Sequence, residues 1–262
     1  MNDRSDADGP RPERVENEAL AERLGVLALS LRVEGADDLT PSCRRIRLGG
    51  GDLEALDPLA GQDLMISLGA EGGRTRRRRY SIRHYDRAAR RVDLDVALHG
   101  TGPGIRWAAS VSPGDAVEAV GPRGKISLDP DADWHLFIGD DSFAPASLNM
   151  AEAVDPAKEV LLAIEVDGPG HEHPHRIRAN LGGPVWVMRD GATGSSAALE
   201  AALAATTLPS GRGHAYVGGE HSVVRTLRDA LIARGMEPES VSFKPYWRLG
   251  RQNAANGEPE RS

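Results

Sequence analysis

Within the stretch RRYSIR, four residues could together grip a flat, phosphate-bearing ligand: Arg78, Tyr80, Ser81 and Arg83. On a strand, Arg78 and Tyr80 share one face because side chains alternate. A phenol ring offers a stacking platform, and a guanidinium takes phosphate oxygens in a fork. Ser81 adds a small hydroxyl at the ring edge. A flavin dinucleotide, which joins a flat ring to a diphosphate, is the kind of group this set serves, with Ser81 near the ring's N5. Two other readings compete. The run from Arg74 through Arg76, Arg77, Arg78 and Arg79 could be a nuclear-import or nucleic-acid patch, or simply a solvated strand edge.

A second stretch, LDVALHGTGPGIRWAASV, adds a turn that opens a helix. His99 and Gly100 end a strand, Gly102 and Gly104 flank a proline, and Trp107 follows one turn later. Such a turn aims free backbone N–H groups and the positive helix end at an anion. Two other motifs fail. GPRGK lacks the first glycine of a phosphate-binding loop, since Ala119 stands there, and Ile126 follows its lysine. HEHPHR, from His171 to Arg176, holds three histidines and a glutamate, but its glycine- and proline-rich setting predicts a solvated polar loop. No metal site is expected.

These residues need elements to hold them. The chain has 262 residues, a formal net charge of -7, 40% apolar residues and one cysteine, Cys43. The acidic balance argues against a nucleic-acid partner. A lone cysteine excludes an intramolecular disulfide and agrees with cytoplasmic residence. No signal peptide or membrane span is visible, and Leu27, Leu29, Leu31 and Val33 alternate as a strand does. Residues 1–18 and 252–262 have the composition of disordered ends. Residues 19–128 read as short strands separated by turn signals, two of them within DAVEAVGPRGKISL, which suggests an antiparallel Greek-key barrel. Residues 129–251 alternate strands and helices, which means a doubly wound parallel α/β domain. Trp134, Trp186 and Met188 are expected in its core. A monomer is the default.

Taken together, four blocks resemble the siderophore-interacting proteins, the ferric-siderophore reductase branch of the ferredoxin–NADP reductase superfamily: RRYSIR, LDVALHGTGPGIRWA with PGD and GPRG, GDDSFAPA and PYWRLGR. The resemblance implies FAD on the barrel, held by Arg78, Tyr80, Ser81, Arg83, His99, Gly100, Gly102, Gly104 and Trp107. It also implies that Asp141, Ser142, Ala144, Glu220, Tyr246 and Trp247 face flavin and nucleotide from the α/β domain. Tyr80 and Ser81 would stand nearest the chemistry. NADH or NADPH would be the donor, with a ferredoxin as an alternative. The substrate would be a small-molecule ferric chelate attracted by Arg74, Arg76 and Arg77. The chain departs from the family pattern in places. Gly104 and Ile105 replace an alanine and a serine. Asp141, Ser142, Phe143 and Ala144 alter the loop from Gly139 to Ala146. Pro245 replaces a glycine. Two other functions are compatible with these changes: a flavin enzyme of a biosynthetic pathway, or a member that has lost FAD and binds a small molecule.

Overall fold

The computed structural model of the protein describes residues 12–71, 74–98, 100, 102–177, 183–189 and 193–250. Its first half is a closed barrel of six antiparallel strands: β1 (Leu27–Thr40), β2 (Cys43–Gly49), β3 (Asp63–Glu71), β4 (Arg74–Asp86), β5 (Arg91–Ala97) and β6 (Ala116–Arg123). Around the barrel the order is β1-β2-β5-β4-β3-β6. The meander β3-β4-β5 with β2 returning beside β5 is a Greek key. Leu29, Leu31, Ile46, Leu48, Leu64, Ile66, Leu94 and Val117 fill the interior.

The second half is a five-stranded parallel sheet in the order β11-β10-β7-β8-β9. The strands are β7 (Trp134–Asp140), β8 (Glu159–Val166), β9 (Val185–Met188), β10 (Gly213–Glu220) and β11 (Val241–Trp247). Helix α3 (Ala144–Ala153) covers one face; α4 (Ala197–Ala205) and α5 (His221–Ala233) cover the other. Pro245 has no N–H to donate and sits on the edge strand β11, where a proline is tolerated.

Three expectations change. The disordered N-terminus gives way at Pro12 to helix α1 (Pro12–Leu24), held because Asn17 is buried on the barrel and bonds Ser67 Oγ at 2.9 Å. Residues 1–11, like residues 252–262, lie outside the described residues. Within DAVEAVGPRGKISL only β6 forms, and Lys125–Leu128 run on as an irregular connection. Trp134 is buried and Trp186 half-buried, but Met188 is 39% exposed, on the edge strand β9. No helix among the described residues is long and apolar enough to cross a membrane.

Candidate functional site

Two surfaces meet at the site: the rim of the barrel and the C-terminal edge of the parallel sheet. On the barrel, β4 carries Arg78, Tyr80 and Ser81 past helix α2 (Pro103–Ser110). Tyr80 stacks on Trp107 with ring centroids 5.4 Å apart and planes 24° from parallel. Burial pushes the Tyr80 hydroxyl pKa up, and nearby Arg78 opposes that only in part. Gly104 makes this packing possible: a Cβ there would stand 2.5 Å from Tyr80 Oη and 3.3 Å from Arg78 Cγ. Arg78 therefore lies along the start of α2. That helix opens on Gly102, and among the described residues none caps it with a side chain or comes within 4 Å of a Cβ position at Gly100 or Gly102. His99 lies outside the described residues.

On the sheet side, the loop after β7 binds itself. Asp140 is buried and accepts from Ser142 N at 3.0 Å, Ser142 Oγ at 2.5 Å, Glu220 N at 2.8 Å and Trp247 Nε1 at 2.9 Å. Burial, with Asp141 beside it, raises the Asp140 pKa. Asp141 is itself 2% exposed, and Ala144 is buried as the first residue of α3. Glu220 caps α5, accepting from Ser222 N and Val223 N, and also accepts Leu249 N at 3.1 Å. The Ser222 hydroxyl, which also donates to it, and these backbone N–H groups hold its pKa below the usual carboxylate range despite burial. Tyr246 reaches across to the barrel, with its hydroxyl 3.4 Å from Ser81 Oγ. At the rim Tyr246 thus meets Ser81 of the barrel, with Phe143 packed behind it.

Arg83 is placed elsewhere. It is fully buried and forks onto Glu152 of α3, with Nη1 at 2.8 Å and Nη2 at 2.6 Å from the two carboxylate oxygens. It clamps the two domains together rather than reaching the rim. Asn149, one turn before Glu152, bonds the Arg83 carbonyl at 3.2 Å and accepts from Gly61 N at 3.0 Å. Asp63 is the second tie, taking Arg79 Nε and, from β11, Lys244 Nζ, each at 2.8 Å. Beneath them Arg45 forks onto Asp95 at 2.6 and 2.7 Å. The alternation VDLDV and the cross-strand pairing of Arg45 with Asp95 were signals that could have revealed this layer.

The arginine run divides by strand face. Arg77 turns outward to helix α1, donating to Asn17 Oδ1 at 2.9 Å and Glu16 Oε2 at 3.3 Å. Arg76 is half-buried and also engaged, and the side chain of Arg74 lies outside what is described. HEHPHR is an irregular loop, exposed from Pro174 to Arg176 but drawn in at its first half. His171 Nδ1 lies 2.7 Å from Ser42 Oγ, and His173 is 2% exposed and stacked on Trp186 at 6.1 Å. The Pro174 carbonyl accepts from Arg83 at 3.3 Å. The barrel's charged outer layer supplies the partners that draw this stretch in. Among the described residues no group of three or more acidic, histidine or cysteine side chains could hold a metal.

Comparison with known proteins agrees with this layout. Residues 132–250 match the model of the siderophore-interacting protein family, and residues 65–126 match that of the siderophore-interacting FAD-binding domain. An uncharacterised protein of Mycobacterium tuberculosis is 35% identical over 185 residues, 66% of this chain and 65% of that protein. The match thus spans just under two thirds of this relative's length. The ferric vibriobactin reductase of Vibrio cholerae is 30% identical over 195 residues, 69% of this chain and 68% of that protein. The crystal structure of a siderophore utilization protein from T. fusca superposes with a TM-score of 0.77 at 27% identity, covering 88% of this chain and 96% of that one. With the barrel, the parallel sheet and the rim between them in place, the chain belongs to the siderophore-interacting protein family.

Proposed function

We propose that the chain is an FAD-dependent reductase of ferric chelates that draws its electrons from NADH or NADPH. The observation that carries this reading is the barrel rim, where Arg78 lies along an uncapped helix start and Tyr80 is backed by Trp107. FAD fits the residues present. Among the described residues no side chain is seen to cap the start of α2, and none comes within 4 Å of a Cβ position at Gly100 or Gly102. An anion is favoured there by the N–H donors and the helix dipole together. Arg78 would bind the diphosphate, Tyr80 would stack on the ring, and Ser81 would donate to its edge. Tyr246 would close the ring's surroundings from the other domain.

When bound, the flavin would accept a hydride's two electrons and release them singly, one to each of two Fe(III) ions. The chain's own part is orientation and charge. Lys244, held by Asp63, and Lys125 line a crevice between the domains together with Phe143, Met150 and Tyr246. Arg74 and Arg76 would add to the positive charge that attracts an anionic chelate. The name of the Vibrio cholerae relative supports that substrate class.

The test begins with the visible spectrum of the purified protein before and after adding FAD. Anaerobic NADH and NADPH follow, then a ferric chelate with an Fe(II) indicator. The expected result is a flavin spectrum bleached by one nucleotide and restored by the ferric chelate as Fe(II) appears. A protein that takes up no FAD overturns the reading. A flavin that reduces other acceptors but not ferric chelates moves it to a different small molecule.

A further inference from the structure

The parallel sheet has its switch point between β7 and β10, where Gly139 pairs with Gly218. In open sheets the ligand crevice lies outside the strand ends at this point. Both residues are glycines, so the backbone there is bare. A Cβ on Gly139 would run into the Gly218 carbonyl, and a Cβ on Gly218 would come within 2.5 Å of the Phe143 ring. The bare backbone is therefore already covered, by an aromatic ring from the chain itself. Phe143 is 5% exposed, just before α3, and its ring is 6.0 Å from that of Tyr246, tilted by 50°. Tyr246 in turn reaches Ser81. Gly218, Phe143, Tyr246 and Ser81 thus form one unbroken path from the switch point to the barrel rim.

A nicotinamide ring is a planar six-membered aromatic, the same shape as the group that now fills the crevice. Resting on the reading of NADH or NADPH as donor, we infer that Phe143 is a specificity-determining residue whose ring occupies the place over Gly218 that the nicotinamide must take. Phe143 competes only with the nicotinamide end of the nucleotide. On this inference, ligands that lack the nicotinamide ring are indifferent to it.

That difference supplies the test. FAD-loaded wild type, Phe143→Ala and Phe143→Tyr are titrated calorimetrically with NAD+ and NADP+, and with ADP-ribose and 2′-phospho-ADP-ribose, which lack the nicotinamide ring. The expected result is that Phe143→Ala binds the intact nucleotide about tenfold more tightly, the upper end of what one aromatic contact supplies, with ADP-ribose affinity unchanged. Phe143→Tyr keeps the wild-type ratio. Equal ratios of nucleotide to ADP-ribose affinity in all three proteins overturn the inference while leaving the donor reading intact. Failure of every protein to bind any of these ligands, with FAD still bound, overturns the nicotinamide reading and this inference with it. If Phe143→Ala does not fold, Phe143→Leu gives the same ratio with a smaller expected change.

Discussion

The two halves of the site treat their polar groups in opposite ways. At the barrel rim, no described side chain caps the start of α2, and Gly100 and Gly102 have open space beside them, while Gly104 packs on Tyr80. The edge of the parallel sheet spends its donors on itself. Asp140 has four partners, Glu220 caps α5 and binds Leu249, and Phe143 covers Gly218. On the proposed reading, one half would receive an anionic ligand as it stands, whereas the other would have to open. Between them lies a joint made of buried charges, and the strongest perturbations of the molecule are expected there.

Replacing Glu152 with alanine gives the largest effect. Arg83 has no exposed surface, so its buried charge would lose its fork and keep the Pro174 carbonyl and Asp95 at 3.9 Å. Loss of one partner of a buried ion pair costs about 3–5 kcal/mol. The denaturant midpoint should fall accordingly, and the paired change of Arg83→Met with Glu152→Leu should recover most of the loss. A shift below about 1 kcal/mol would show that the joint does not depend on this pair.

Acid should strike the closed half through His135. It is buried against Phe137 and Tyr216, and burial pushes its pKa down to about 4 from an ordinary 6.5. The folded state keeps this imidazole neutral while the unfolded chain protonates it, so stability rises with pH. The contribution is complete above pH 6.5 and is lost as pH falls towards 4, by up to about 3 kcal/mol. His84, also lowered to about 4 by burial and by Arg83, adds to the same window from the joint. A His135→Phe variant should show a flatter stability profile between pH 6.5 and 4. An unchanged slope assigns the acid response elsewhere.

The open half is tested by comparing Arg78 with Arg77, neighbours on one strand that point to opposite sides. Arg78→Ala should weaken FAD binding about 30-fold, the equivalent of a charge-assisted hydrogen bond of about 2 kcal/mol. Arg77→Ala should leave FAD affinity unchanged and loosen helix α1, whose Glu16 and Asn17 it holds. Equal losses of FAD affinity in both variants would mean that β4 acts through general charge, not through a built rim.

Most of this architecture is legible in the sequence because it follows local rules. Alternation sets the barrel strands, and the change to alternating strands and helices at residue 129 sets the second domain. Tyr80 and the α2 turn are legible for the same reason, since a strand and a helix start define where they point. Arg83 is different. Its motif position suggests the rim, but its destination depends on Glu152, 69 positions later and in the other domain. Asp63 with Lys244, 181 positions apart, is likewise invisible to local pattern. HEHPHR reads as a polar loop on composition alone, and the burial of His173 follows from its stack on Trp186, 13 positions later.

The smallest effect expected is the one that best separates binding from folding. Gly104→Ala introduces a methyl 2.5 Å from Tyr80 Oη, so the phenol must move. Within helix α2 the same change is favourable by about 1 kcal/mol, because alanine orders the backbone more cheaply than glycine. Forcing Tyr80 away from its preferred rotamer costs about the same, roughly 0.5–1.5 kcal/mol. The two terms oppose each other in folding, so the unfolding midpoint should barely change. They do not oppose each other in binding: the displaced ring and the crowding of Arg78 both enter, and FAD affinity should fall about fivefold, the equivalent of about 1 kcal/mol. An unchanged affinity would show that Tyr80 stacks as well from its displaced position, and the platform would then owe its geometry to Trp107 rather than to the missing side chain at Gly104.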